Sequence, residues 1–423
     1  MKRRNFIKTI GMASAGMPFW MGIVPENLWG AIPSGIKITG IDTFVVGNSN
    51  CIIKIKTNEG ITGLGEASNT DGMVLALEAM VKASEGHLIG KDPTNIEFLN
   101  QGIYRWNRWH VGTLFAAMIS GIDMALWDIL GKLADMPVYK LLGGAARDKI
   151  RLYCGGSGKS GVERARSMGY NAMKGGPGVV RTDDNGKRYV PMPWDLKRAV
   201  KDIEEARIAG GDDFDILTDC HGAMDPDMAL EYCNAIEPYR VFWAEEAIQI
   251  EGTNDALEWL SNHTTQPLCM GERNFMKWGV VDMINKRIVS YINADLARCG
   301  GISEFKKIAA MAEAQYIKVS PHVVNSKIGH LASLHCSMNC PNSVILEMGQ
   351  WANEPFLKTK DWWTDDLFKG HRFQVIDGFA TLPDTPGLGI EMNEEVAKAH
   401  PYDPNEPQMR PESLFEDGSV NGN

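Results

Sequence analysis

Asp219-Cys220-His221-Gly222, read together with Ala244-Glu245-Glu246-Ala247 and Gly271-Glu272-Arg273-Asn274, decides the fold. Each phrase places a carboxylate at the close of a short apolar run: Phe214 to Leu217, Val241 to Trp243, and Leu268 to Met270. Asp219 to Glu245 is 26 residues and Glu245 to Glu272 is 27, about the length of one strand, one crossover helix and two loops. That interval predicts successive parallel strands bearing Asp219, Glu245 and Glu272 at equivalent ends. A single acidic residue at a strand end is ordinarily a solvated loop group. Three in register predict three hard oxygen ligands converging on one point, and such a set suits one Mg²⁺ per subunit.

Working outward, short β-like runs alternate with helical ones. Ile150–Tyr153, Ala172–Lys174, Ile216–Thr218, Val241–Trp243, Leu268–Met270, Val289–Ile292, Ile317–Val319 and Val344–Leu346 make eight strands separated mainly by helices. This predicts an α/β fold, a parallel barrel spanning 146–350 with its chemistry at the carboxyl ends of the strands. Upstream the period changes. Ile36–Thr39, Thr43–Val46 and Cys51–Thr57 alternate as strands, Asn58-Glu59-Gly60 turns into Ile61–Gly65, and Leu75–Ala83, Ile96–Trp106 and Thr113–Leu133 read as helices. An α+β domain is therefore expected over 36–145. The tail, 351–423, is expected to return to that domain through Gly387-Leu388-Gly389-Ile390-Glu391-Met392.

The 423 residues are 44% hydrophobic and 23% charged, with a net charge of −10. That is enough chain for two domains. The body of the chain has no basic run, which argues against nucleic acid as a partner and for a small molecule. Lys2-Arg3-Arg4-Asn5-Phe6-Ile7-Lys8 precedes a mildly apolar stretch from Thr9 to Val24. It resembles a twin-arginine export signal over 1–31, with Lys2 where Ser or Thr is usual and Ile7 where Leu is usual. Pro18 breaks the stretch, so no stable membrane insertion is expected after export, and the expected destination is the periplasm. Of the eight cysteines, Cys154, Cys220, Cys269 and Cys299 fall in or beside apolar runs, as buried free thiols do.

Further strand ends carry chemistry. Asp295 ends the sixth run and His322 the seventh. On adjacent strands the carboxylate would fix the imidazole tautomer and raise its basicity, as a general base needs. His221 lies two residues past Asp219, so an extended strand would turn both side chains to one face, where His221 could give a proton to a leaving hydroxyl. Lys174, ending the second run, would point a cation at a substrate carboxylate. Glu347 ends the eighth run and could assist from there. His330 and His335 sit on a helical stretch and read as packing or surface residues.

These residues, with Gly169-Tyr170-Asn171-Ala172-Met173-Lys174, Cys299-Gly300-Gly301-Ile302, Met311-Ala312-Glu313-Ala314 and Pro321-His322, make the chain from Ile36 to about Met392 resemble the enolase superfamily. The resemblance is to its mandelate racemase-like branch, nearest the sugar-acid dehydratases of the galactonate dehydratase type. It implies a modified TIM barrel, (β/α)7β, beneath an α+β capping domain, assembled as a homo-oligomer. Mg²⁺ on Asp219, Glu245 and Glu272 would bind the carboxylate of a sugar acid, His322 polarised by Asp295 would remove the adjacent proton, and His221 would protonate the departing 3-hydroxyl. Cap loops near Gly47–Asn50 and Ala67–Asp71 would choose the substrate.

Three departures stand out. Gly176 occupies the place of a second lysine that racemases of this branch use as a base, which argues against two-base racemisation through it. Ala247 replaces a usual proline, and the insert 177–193 is unlike the compact members. The alternatives to dehydration are cycloisomerisation or epimerisation through the same enediolate, and a non-catalytic periplasmic sugar-acid binding protein.

Overall fold

The computed structural model describes Pro33 and residues 35–47, 50–68, 73–106, 108–109, 112–177, 181–182, 188–190, 195–249, 254–348, 364–370, 375–381, 384–405, 413–415 and 420–421. The expected export segment, most of the insert 177–193 and part of both cap loops lie outside the described residues.

The first domain opens with a three-stranded antiparallel sheet of β1 (Ile38–Val46), β2 (Asn50–Thr57) and β3 (Thr62–Ser68). Cys51, Ile53 and Ile55, alternating along β2, point into one core with helices α1 (Val74–Leu88), α2 (Ile96–Trp106) and α3 (Thr113–Leu133). Helix α3 lies directly on β3. A Cβ on Gly63 or Gly65 would come within 2.0 Å of Ala125 O or 1.8 Å of Gly121 O, so only glycine lets the helix backbone this close. Helix α3 is long and apolar enough to cross a membrane, and it is buried as the core helix of this domain.

The second domain is a ring of eight parallel strands: β4 (Ile150–Gly155), β5 (Ala172–Gly175), β6 (Asp215–Asp219), β7 (Ala244–Glu245), β8 (Leu268–Met270), β9 (Tyr291–Ile292), β10 (Lys318–Val319) and β11 (Leu346–Glu347). From β4 to β10 each pairs with the next, β11 pairs with β4, and an isolated parallel bridge from Val319 of β10 to Ser343, just before β11, closes the circle. Among the described residues seven α-helices fill the connections: α4 (Gly158–Ser167), α5 (Leu196–Gly210), α6 (Pro226–Ile236), α7 (Asp255–His263), α8 (Met276–Lys286), α9 (Gly301–Glu313) and α10 (Lys327–Asn339). This is the (β/α)7β barrel. Several helices start as their sequences dictate: Asp195, Asp225 and Ser326 accept backbone N–H bonds at the N-termini of α5, α6 and α10, and Pro226 occupies the first turn of α6.

Tyr153, Ala172, Leu217, Trp243, Cys269, Tyr291 and Ile345 fill the lumen. Trp243 lies 5.1 Å from Phe242 and 5.0 Å from Tyr291 between ring centroids. Replacing a fully buried Trp243 by Ala would cost on the order of 3–5 kcal/mol, so this plug rigidifies the floor beneath the strand ends.

Several strand positions differ from the sequence expectation, among them the eighth, which begins at Leu346 rather than Val344. The fourth strand is Ala244–Glu245 rather than Val241–Trp243, and the sixth begins at Tyr291 rather than Val289. Hydrophobic runs mark burial, while ladder bonds to both neighbours are completed one to three residues later. Phe242 N already donates to Ile216 O at 2.8 Å.

Part of the tail packs on the first domain. Leu388 N donates to Asp128 Oδ1 at 2.8 Å, Lys54 Nζ meets Glu394 Oε1, and Gly47 N donates to His400 O at 3.0 Å. Residues Phe379–Ala380 pair with the start of β4, and Ser413–Phe415 pair with Arg188–Val190 of the insert. All eight cysteines are buried and free.

Candidate active site

At the carboxyl ends of the strands the hydrogen-bond ladder sets Asp219 directly opposite Glu245. Glu272 lies two residues beyond the end of β8, past Gly271. All three carboxylates are buried, and one oxygen from each lies within 4.8 Å of the others. Three buried acids at that spacing repel unless a cation intervenes. Part of the compensation is internal. Lys174 Nζ, from β5, stands 2.7 Å from Glu245 Oε1, 3.1 Å from Asp219 Oδ2 and 3.1 Å from Glu347 Oε1. Burial opposes the ammonium charge, but these three carboxylates hold the Lys174 pKa well above its ordinary value. Glu245 feels the opposite balance. Burial pushes its pKa well up and the neighbouring acids add to this, although Lys174 pulls against them.

Two donors unforeseen in the sequence fix Glu245: Trp243 Nε1 donates to Oε2 and Asn293 Nδ2 to Oε1, both at 2.9 Å. Trp243 lies two residues before Glu245, and Asn293 two before Asp295. Alternation along a strand was the available signal.

His322 and Asp295 meet as the spacing suggested. His322 Nδ1 lies 2.8 Å from Asp295 Oδ2, and Nε2 lies 3.2 Å from Glu272 Oε2. Burial would lower the imidazole pKa. Glu272, Glu347 and Asp295 outweigh it and hold it at about 9. Asp295 is itself enclosed: Ala297 N and Asn325 Nδ2 each donate to Oδ1 at 2.8 Å, and the Arg298 guanidinium lies 3.7 Å from Oδ2. Burial would raise the Asp295 pKa, yet Arg298 and His322 leave it lowered. Sequence reading singled out neither Asn325 nor Arg298.

His221 also reaches the site, but not in the predicted way. Its φ of +51° is left-handed, so the strand ends at Asp219 and no extended alternation carries the ring. The backbone instead folds back. His221 N donates to Asp219 Oδ1 at 3.1 Å, and the half-exposed ring brings Nε2 to 3.3 Å from Asp219 Oδ2. Arg273 pins the turn by donating to His221 O at 2.6 Å. Glu347 accepts from Val323 N at 2.9 Å, next to His322. His330 and His335 are buried on α10 and take no part; His335 packs on Tyr139 and His330 sits by Ser326 O.

Glu246, also overlooked, is fully buried at φ +45°, accepting from Gly271 N at 3.2 Å. Burial and Glu272 push its pKa up to about 8.

The donor set fits a hard divalent cation. All three donors are carboxylates, and Glu272 Oε2 is buried, with no hydrogen bond and, among the described residues, only His322 Nε2 3.2 Å away as a charge partner.

Comparison with known proteins shows the family. Residues 29–143 match the N-terminal domain family of mandelate racemase and muconate lactonizing enzyme, and residues 159–396 match the enolase C-terminal domain-like family. A D-galactonate dehydratase family member of Pseudarthrobacter chlorophenolicus is 33% identical over 404 residues, covering 87% of this chain and 96% of the relative. A D-mannonate dehydratase of Caulobacter vibrioides is 31% identical, covering 88% and 96%. A solved enolase superfamily member from Salmonella Typhimurium superposes with a TM-score of 0.79 at 30% identity, covering 86% and 98%.

Proposed function

The chain belongs to the enolase superfamily, in its mandelate racemase and muconate lactonizing enzyme branch, and from that membership we propose that it is an Mg²⁺-dependent hydro-lyase that dehydrates a sugar acid. The observation that carries the reading is the placement of two imidazoles at the two outer carboxylates of one buried triad. His322 stands by Glu272 with an aspartate behind it, and His221 stands by Asp219.

Asp219, Glu245 and Glu272 would hold the Mg²⁺, which when bound would supply the positive charge that makes the carbon beside the substrate carboxylate acidic. Asp295 accepts the Nδ1 proton of His322 and so leaves the Nε2 lone pair facing the pocket. His322 Nε2 takes the proton from that carbon. Lys174 Nζ lends its charge to the substrate carboxylate, and Glu347, accepting from Val323 N, holds the loop of the base. His221 Nε2 gives a proton to the 3-hydroxyl. The C–H and C–O bonds break, a C=C bond forms, water leaves, and the enol tautomerises to a 2-keto-3-deoxy acid. General acid and base catalysis of this kind contributes about 10²–10⁴-fold per group.

The test is a panel of sugar acids incubated with Mg²⁺ in D₂O. A 2-keto-3-deoxy product supports dehydration. Deuterated or ring-closed acid without loss of water would instead mark an epimerase or cycloisomerase, and binding without turnover a sugar-acid binding protein. Epimerisation through a lysine two residues after Lys174 is disfavoured, since Gly176 stands there.

From the twin-arginine-like segment Lys2–Lys8 we further propose a periplasmic location, and from the family resemblance a homo-oligomer. Exchanging Arg3 and Arg4 for lysine should then strand it in the cytoplasmic fraction, and light scattering should return a multiple of the subunit mass.

A further inference from the structure

The base is held from the other domain. Glu66, on β3 of the capping domain, is fully buried, and among the described residues no lysine or arginine pairs with it. Its carboxylate instead receives the start of barrel helix α10. Ser326 N donates to Oε1 at 2.9 Å and Oε2 at 3.1 Å, Ser326 Oγ to Oε2 at 2.6 Å, and Gly329 N to Oε2 at 3.1 Å. Backbone donors and the positive end of the helix dipole are suited to a buried anion. Ser326 Oγ accepts in turn from Ile328 N at 3.2 Å, completing the helix cap.

The residue before that cap is Asn325. Its Nδ2 donates to Asp295 Oδ1 at 2.8 Å, and Asp295 Oδ2 faces His322 Nδ1. From the other side, Ser68 N, two residues beyond Glu66, donates to Ala297 O in the Asp295 loop at 3.4 Å. One strand of the capping domain therefore grips both segments that meet at the dyad. Other ties between the tail and the cap, such as Lys54 with Glu394, touch neither segment.

We propose that Glu66 and Asn325 are positioning residues for the base: the capping domain, through Glu66, holds the turn whose Asn325 fixes Asp295, and Asp295 fixes His322. The inference rests on the proposed role of His322 and extends it. Docking of the cap and alignment of the base become one event, because a carboxylate rotated away from Nδ1 no longer presents Nε2 to substrate.

The test compares Glu66→Gln and Asn325→Ala with Lys54→Met as control, in the full-length protein with Mg²⁺. Both positioning variants should lower kcat at least tenfold while KM and the Mg²⁺ Kd stay within twofold. Both should also lose or broaden the downfield proton resonance of the His322–Asp295 hydrogen bond, identified by its disappearance in His322→Asn. The control should change neither. Because Glu66→Gln is isosteric, it covers the case in which Asn325→Ala does not fold. An unaltered resonance and kcat within twofold of wild type in the folded variants would overturn the inference, as would a parallel collapse of Mg²⁺ binding. If no sugar acid is turned over, the proposed reaction fails, and the resonance alone still decides the positioning role.

Discussion

Lys174 Nζ stands 2.7 Å from Glu245 Oε1, so a buried ammonium shares the carboxylate group proposed to hold the cation. Removing it leaves the three buried acids it touches short of a counter-charge, and breaking such an arrangement costs about 3–5 kcal/mol. Lys174→Met should therefore lower Tm markedly in chelator, and Mg²⁺ should restore much more of it than it adds to wild type. Calorimetry with and without Mg²⁺ reads this; an equal Mg²⁺ increment in both proteins would contradict the arrangement.

The two histidines should separate the two halves of the reaction. His322→Asn should abolish both exchange of the substrate proton with solvent and loss of water. His221→Asn should slow dehydration by about 10²–10⁴-fold yet retain exchange in D₂O. Loss of exchange in the His221 variant would assign it to proton abstraction instead.

Metal binding should release a proton near neutral pH. Burial lowers the His322 pKa, but Glu272 and Glu347 hold it at about 9, so the imidazole is charged at pH 7 without a cation. A divalent ion on Glu272 opposes that charge. Mg²⁺ affinity should then rise between pH 7 and 9, with proton release visible when titrations are repeated in buffers of different ionisation enthalpy. In His322→Asn the slope should shrink.

Asp123, on α3, accepts from Ser303 N of α9 at 3.0 Å and from Asn100 Nδ2 of α2 at 2.6 Å. Burial pushes its carboxyl from 3.8 up to about 6, despite these donors. A raised carboxyl favours the folded state in its protonated form, so this contribution is present below about pH 4 and lost as pH rises through about 6. The stability of wild type relative to Asp123→Asn should grow on acidification from pH 7 to 4, by up to about 3 kcal/mol. A difference that stays flat across that range would show that the site does not titrate.

The barrel and the triad were legible because strand ends repeat at a fixed interval and because three acids in register at those ends are unusual where one alone is not. Asp219, Glu245 and Glu272 could be found by counting, and Asp295 with His322 by adjacency of strands. What counting could not reach was local backbone geometry and contact across the domains. The left-handed turn at His221 is set by Arg273, 52 residues on. Glu66 and Ser326 are 260 residues apart, and neither carries a period or a spacing that joins it to the other. Glu246 stood in the same phrase as Glu245 without a role of its own, because neither spacing nor pattern foretold its complete burial.

The seating of Glu66 on the start of α10 bears on how such proteins can be re-engineered. A chimera that exchanged the whole N-terminal unit for a relative's would have to bring an acid to that position or rewrite residues 326–329 with it. Grafting the short segments that face the substrate leaves this joint untouched, and is the safer route to a new preference.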